Sequence, residues 1–245
     1  MKSVQRTIPR RQFLKNAALG SFAAGPALLR AQAAGRGTGK PNLVFIWTDQ
    51  QRWDTLAAYG NTRIKTPHLN ALAKDSVVFE RAYVSQPVCT PARSTVMTGL
   101  WPHTTGCTCN KISLQPDTAC FPELLDDADY RTAYFGKWHL GNEVFPQHGF
   151  EEWVSIEDGY AANFSADRDP EAKSTYFHYL KDLGYAPGES GIYTRQFAAG
   201  LPMDQCKPKF LERQAKDFLR RNRNNPFILS QSSHKALNWS GKPEG

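Results

Sequence analysis

Pro41-Asn42-Leu43-Val44-Phe45-Ile46-Trp47-Thr48-Asp49-Gln50 is the stretch on which the fold of this 245-residue chain turns. Its apolar run, residues 43–47, is unbroken and stops at Thr-Asp-Gln. A strand that alternates apolar and polar residues covers one face only; an uninterrupted run predicts a central parallel strand covered on both faces. In open α/β sheets, ligands gather beyond the carboxyl ends of the strands. Asp49 and Gln50 stand at such an end and are candidate site residues. Asp49 is equally suited to cap a following helix.

The pattern continues outward from this strand. Thr66-Pro67-His68-Leu69-Asn70 reads as the capped start of a helix, and SVVFERAY (76–83) as a second strand. VCTPARSTVMTGL (88–100) predicts a helix with Pro91 in its first turn and Gly99 at its end. Phe121-Pro122-Glu123-Leu124-Leu125 opens another helix, and residues 131–135 form a short strand that ends in Gly136-Lys137-Trp138-His139-Leu140-Gly141. If that segment stays extended, Lys137 and His139 point to one side. Residues 151–205 form a loop-rich excursion of the kind that shapes substrate access. Phe210, Leu211, Ala215, Phe218 and Leu219 mark the buried stripe of a helix over 209–222. PFILS (226–230) is a further buried strand, running towards Ser233-His234-Lys235. Alternating strands and helices predict an α/β sandwich.

The chemistry centres on Cys89. It falls at the start of the 88–100 helix, where free N–H groups and the helix dipole favour an anion. Arg93, one turn further, adds a permanent fork-shaped cation suited to a tetrahedral oxyanion. The combination is a nucleophile in an anion-binding cradle, although an isolated cysteine is more commonly an inert core residue.

The formal net charge of +7 does not indicate nucleic-acid binding. Residues 1–33 hold Lys2, Arg6, Arg10, Arg11, Lys15 and Arg30 with no acidic residue, and removing those six charges leaves +1 for the remainder. This leading segment reads as a twin-arginine signal peptide: Arg10-Arg11-Gln12-Phe13-Leu14-Lys15, a weakly apolar stretch, then Ala31-Gln32-Ala33. Its apolar part is short and interrupted by Gly20, Gly25 and Pro26, so no stable membrane span is expected. Residues 34–40 are a linker, and 41–245 the folded part. Export by the twin-arginine machinery to the periplasm or beyond follows as an expectation. Five cysteines are an odd number for an oxidising compartment. With Cys89 set aside, Cys107, Cys109, Cys120 and Cys206 allow three pairings, among which the sequence does not choose.

Five segments together resemble the sulfatase family of the alkaline-phosphatase-like superfamily: PNLVFIWTDQQ, CTPARSTVMTG, FGKWHLG, HGFEEW and PFILSQSSH. They occur in the family's order from Pro41 to His234. The resemblance implies a three-layer α/β sandwich with a mostly parallel central sheet. It also implies that Cys89 is converted by a formylglycine-generating enzyme to an aldehyde whose hydrate attacks sulfur. One hydroxyl of the hydrate displaces the alcohol; the second then loses its proton, expels sulfate and restores the aldehyde. Asp49, Gln50 and the modified Cys89 would hold Ca²⁺ (or Mg²⁺). Arg93, Lys137 and His139 would neutralise charge and hold the hydrate and sulfate. His234, about three positions before the expected place near Leu237, would bind sulfate.

The implied activity is hydrolysis of organic, carbohydrate-type sulfate esters. The alternatives are phosphodiester or phosphonate monoester hydrolysis in the same superfamily, and a non-catalytic remnant. The family's later Asp with Asn or His, a further Lys and a smaller C-terminal subdomain have no counterpart before Gly245. The chain thus corresponds to the family's N-terminal portion. An incomplete metal shell predicts weak or no turnover, and part of the sheet's apolar surface is expected to lie exposed.

Overall fold

In the computed structural model, residues 39–233 are described. The twin-arginine segment, most of the linker and His234 lie outside them. The chain divides into two units, residues 1–41 and 42–245, and the architecture below is that of the second.

Among the described residues four parallel strands form one sheet: β1 (Leu43–Thr48), β2 (Arg131–Gly136), β3 (Glu152–Val154) and β4 (Phe227–Ser233), in the order β1-β4-β2-β3. Among the described residues the helices are α1 (Pro67–Lys74), α2 (Cys89–Thr98), α3 (Pro102–Thr105), α4 (Phe121–Leu125), α5 (Thr175–Asp182), α6 (Arg195–Ala199) and α7 (Lys207–Arg221). The register places Phe45 and Tyr134 on either side of Ser230, and Trp47 and Gly136 on either side of Ser232. All four strands therefore end towards one rim.

Strand alternation sorts the core into two layers. Ala133, Phe135, Phe227 and Leu229 face one way and pack with Tyr176 and Leu180 of α5 and Phe210, Leu211 and Phe218 of α7. Tyr134 and Ile228 face the other way and pack with Met97 of α2, Trp138, Leu140 and Phe150. Helix, sheet and helix make the expected three-layer sandwich. The stripe on α7 is core as its spacing predicts, and each large side chain buried there contributes roughly 1.5–3 kcal/mol.

Two expectations need correction. Residues 76–83 form no strand. Val77 is 81% exposed and Tyr83 88%; a strand needs a partner edge, and among the described residues none reaches this segment. The second correction concerns β1, which is not central and covered. Among the described residues it pairs with β4 on one side only, stands at the edge of their sheet, and leaves Leu43, Val44 and Ile46 exposed, Ile46 by 65%. Its apolar run specifies a strand with two covered faces, yet the described residues cover little of either. The central positions belong to β4 and β2, whose residues are mostly buried.

Candidate active site

Helix α2 begins at Cys89, with Val88 as an extended cap residue and Pro91 in the first turn, where its missing N–H costs nothing. It ends at Gly99, whose left-handed φ of +73° closes the helix. Thr90, Pro91, Arg93, Ser94, Met97 and Thr98 are buried, so the helix start is embedded in the fold. Two contacts fix it: the Thr90 N–H donates to Asn110 Oδ1 (3.1 Å), and the Thr90 hydroxyl donates to the His139 carbonyl (2.9 Å).

Lys137 joins this helix start to the end of β1. Its Nζ donates to Asp49 Oδ2 at 3.0 Å and lies 3.7 Å from Cys89 Sγ, and both Lys137 and Asp49 are buried. Asp49 is held at the strand end by its own N–H, which donates to the Ser233 carbonyl (3.0 Å). The centre is therefore assembled from the carboxyl ends of β1 and β2 and the start of α2.

Arg93 is only 3% exposed. Its Nη1 donates to the Lys137 carbonyl, to Ser232 Oγ (3.0 Å) and to Tyr134 Oη (3.4 Å). Nη2 stands 3.7 Å from Asp49 Oδ1, and the guanidinium lies 4.5 Å from the centre of the Trp47 ring. Much of the fork is thus engaged by protein, so Arg93 ties three strand ends together and supplies positive charge from behind the site.

The Gly136–Gly141 turn departs from the extended geometry its sequence suggests. Strand β2 stops at Gly136, Trp138 turns into the core, and His139 has a left-handed φ of +61°. Glu143, 1% exposed, holds the turn: its carboxylate accepts the N–H of Trp138 (2.8 Å) and of His139 (2.6 Å). Gly136 is required there. At φ +118° it passes so close to β4 that a Cβ would fall 1.9 Å from the Ser232 carbonyl oxygen.

His139 packs edge-on to Tyr160 (4.9 Å between ring centres) beside a small cleft with Lys111 and Ser113. Its buried Nδ1 has no hydrogen-bond partner among the described residues. Burial, reinforced by the charges of Lys137 and Arg93, pushes its pKa down to about 4. At neutral pH the ring is an uncharged donor and acceptor. Lys137 and Arg93 alone carry the positive charge expected of the three.

Gln50 follows Asp49 with a left-handed φ of +58° and is exposed. Ca²⁺ takes six to eight oxygen ligands. Here the described residues offer the Asp49 carboxylate, already engaged by Lys137 and Arg93, and the neighbouring Gln50 amide. They do not make a shell for a hard divalent cation. Sequence reasoning missed Trp47, Tyr134, Glu143, Tyr160 and Ser232. Ser232 was within reach of the strand-end rule, since it lies one residue before the end of the strand that starts at Phe227; a buried Glu four residues after His139 has no comparable signal. All five cysteines are free thiols, so none of the three pairings is formed.

These features define an α/β protein that presents a cysteine, a buried lysine and a carboxylate at the ends of parallel strands. The sulfatase family model matches residues 41–236, and the chain belongs to the sulfatase family. An ulvan-active sulfatase of Formosa agariphila is 40% identical over 144 residues, which are 55% of this chain and 28% of that protein. A solved structure holding its substrate D-glucosamine-2-N,6-O-disulfate superposes with a TM-score of 0.54 at 26% identity, over 81% of this chain and 35% of that one. A phosphonate monoester hydrolase of Silicibacter pomeroyi shares the fold, with a TM-score of 0.58 at 22% identity over 83% and 45% of the two chains. The chain thus spans about a quarter of the length of the first curated relatives it matches.

Proposed function

We propose that this chain carries the nucleophile-bearing part of a sulfuric ester hydrolase acting on carbohydrate sulfate esters, with Cys89 converted to formylglycine. The observation that carries the reading is the convergence of Lys137 Nζ, Asp49 and Cys89 at the start of α2. A hydrated formylglycine supplies two hydroxyls on one carbon, one to attack sulfur and one whose deprotonation expels sulfate. Lys137 holds positive charge against the developing sulfate oxygens, in a site dry enough for such charge to count. Arg93 keeps Asp49, the Lys137 carbonyl and Ser232 in place, so the charges need no rearrangement during reaction. His139, neutral and with Nδ1 unpaired among the described residues, is assigned the hydrogen bond to the hydrate or the ester oxygen.

Carbohydrate specificity is supported by the ulvan-active and disulfated-glucosamine relatives. The export signal in residues 1–33 supports a periplasmic or secreted location reached through the twin-arginine machinery. Ca²⁺ (or Mg²⁺) enters this reading through the family resemblance alone. The test is mass spectrometry of the tryptic peptide 82–93 from protein made with a formylglycine-generating enzyme. Aryl sulfate and aryl phosphodiester hydrolysis are then compared on the same preparation. The reading predicts an aldehyde at position 89 and preference for the sulfate. An unmodified thiol at Cys89 in that preparation overturns the nucleophile, and preference for the phosphodiester overturns the substrate class.

A further inference from the structure

Away from the strand ends, α4 and the loop before β3 bring three metal-ligating side chains together. The donor atoms of Cys120, Glu123 and His148 all lie within 4.8 Å of one another. Among the described residues it is the one such grouping of three or more His, Cys, Asp or Glu side chains. We propose that it binds a borderline divalent transition metal of the Zn²⁺ class, at a site separate from Cys89 and independent of the hydrolase reading.

Local structure positions each donor. Cys120 is the cap residue of α4 and fully buried, and its N–H donates to Glu123 Oε2 at 2.7 Å, which folds that carboxylate back over the cysteine. His148 and Gly149 both take left-handed φ, +52° and +77°. The turn they make presses on the first turn of α4 so closely that a Cβ at 149 would meet Glu123 Cγ at 2.8 Å. His148 is carried in with it and its side chain is 5% exposed; among the described residues Nδ1 forms no hydrogen bond, and its polar neighbour, Glu123 Oε2, stands at an ion-pair distance of 3.5 Å. Trp138 lies against the same ring, 5.8 Å between centres. The buried ring nitrogen lacks a well-formed hydrogen bond, which is costly, and a cation held between it and the Glu123 carboxylate would satisfy both.

The donor set selects the ion. Thiolate, imidazole and one carboxylate suit Zn²⁺, whereas Ca²⁺ and Mg²⁺ require oxygens. Tetrahedral zinc bonds of about 2.0–2.3 Å place ligand atoms roughly 3.3–3.8 Å apart. Side-chain adjustments on the order of 1 Å close the present cluster to that spacing. The Glu123 side chain is 35% exposed, which leaves an approach for the ion and for water as a fourth ligand. Binding would form the metal–sulfur bond and release the Cys120 thiol proton to solvent. The ion would pin α4 to the loop beneath the aromatic layer that supports the Gly136–Gly141 turn.

The test uses the full chain freed of metal by chelation and titrated with Co²⁺, then with Zn²⁺. One equivalent of Co²⁺ should produce thiolate charge-transfer and tetrahedral d–d absorption, which Zn²⁺ displaces. Cys120→Ser and His148→Gln should each weaken binding at least tenfold. Glu123→Gln, which keeps an oxygen for the Cys120 N–H, should weaken it less. Cys89→Ala, Cys107→Ser and Cys109→Ser should leave the spectrum unchanged. Zn²⁺ should raise the melting temperature of the parent chain and not that of Cys120→Ser. Absence of thiolate absorption overturns the proposal, as does its survival in both Cys120→Ser and His148→Gln or its loss in one of the three control variants.

Discussion

Lys137 and Asp49, 88 residues apart in the chain, are buried against each other with Nζ 3.0 Å from Oδ2. The pair closes the gap between the ends of β1 and β2, which are not neighbours in the sheet, since β4 lies between them. Two charges removed from water tolerate each other only while both remain.

Lys137→Met should therefore destabilise the fold by about 3–5 kcal/mol, because the buried Asp49 carboxylate loses its ion-pair partner at 3.0 Å. Urea unfolding measures this. The double variant Asp49→Asn/Lys137→Met should recover a large part of the loss, since the orphaned charge is gone. A double variant no more stable than Lys137→Met alone would show that packing, not charge, sets the cost.

Arg93→Lys should behave as a severe substitution although charge is conserved. A single ammonium cannot serve the Lys137 carbonyl, Ser232, Tyr134 and Asp49 together, nor stack on Trp47. The expected loss is about 2–4 kcal/mol from unsatisfied buried groups, read as a fall in melting temperature. A stability equal to that of the parent chain would contradict the holding role given to Arg93.

Gly136→Ala should be among the most damaging single changes. The added methyl overlaps the Ser232 carbonyl and the backbone φ of +118° is itself unfavourable for alanine. Separating β2 from β4 is the only relief, and a cost of about 3 kcal/mol or more follows. Soluble yield and thermal unfolding report it.

Glu143 predicts a pH dependence. Burial raises its pKa from 4.5 to about 7, despite the two N–H donors that favour the carboxylate. The folded state thus binds this proton more tightly than the unfolded state. Its contribution to stability is complete below about pH 4.5 and is lost as pH rises through 7. Glu143→Gln should remove that part of the slope while lowering stability by about 1–3 kcal/mol, because its NH₂ faces one of the two N–H donors. Unfolding free energies measured from pH 4 to 8 for both proteins, giving parallel curves, would count against a buried, shifted Glu143.

Much of the architecture was legible in the chain. The helix at 89–98, the α7 stripe and the strands at 131–136 and 227–233 follow from local periodicity and punctuation, which depend only on near neighbours. The strand reading of 76–83 failed because an apolar segment such as Val77-Val78-Phe79 becomes a strand only when an edge is available to pair with it. The same reason explains β1: its sequence demands cover that the described residues do not supply. At the centre, Cys89, Asp49, Lys137 and Arg93 were found from motif and strand-end position. Glu143, Tyr160 and Ser232 were not, since their roles arise from contacts between distant segments.

By itself the sequence determined the alternating α/β order and the family, and it brought forward the proposed nucleophile, the lysine and the carboxylate, because each is written in short motifs. Tertiary structure decided how those groups behave. Burial makes His139 neutral and turns Arg93 from an open cation into a tie between strand ends. The left-handed turn at 148–149 carries a histidine to Cys120 and Glu123. Those outcomes depend on dielectric surroundings and on close approach between residues far apart in the chain, and no local pattern records either.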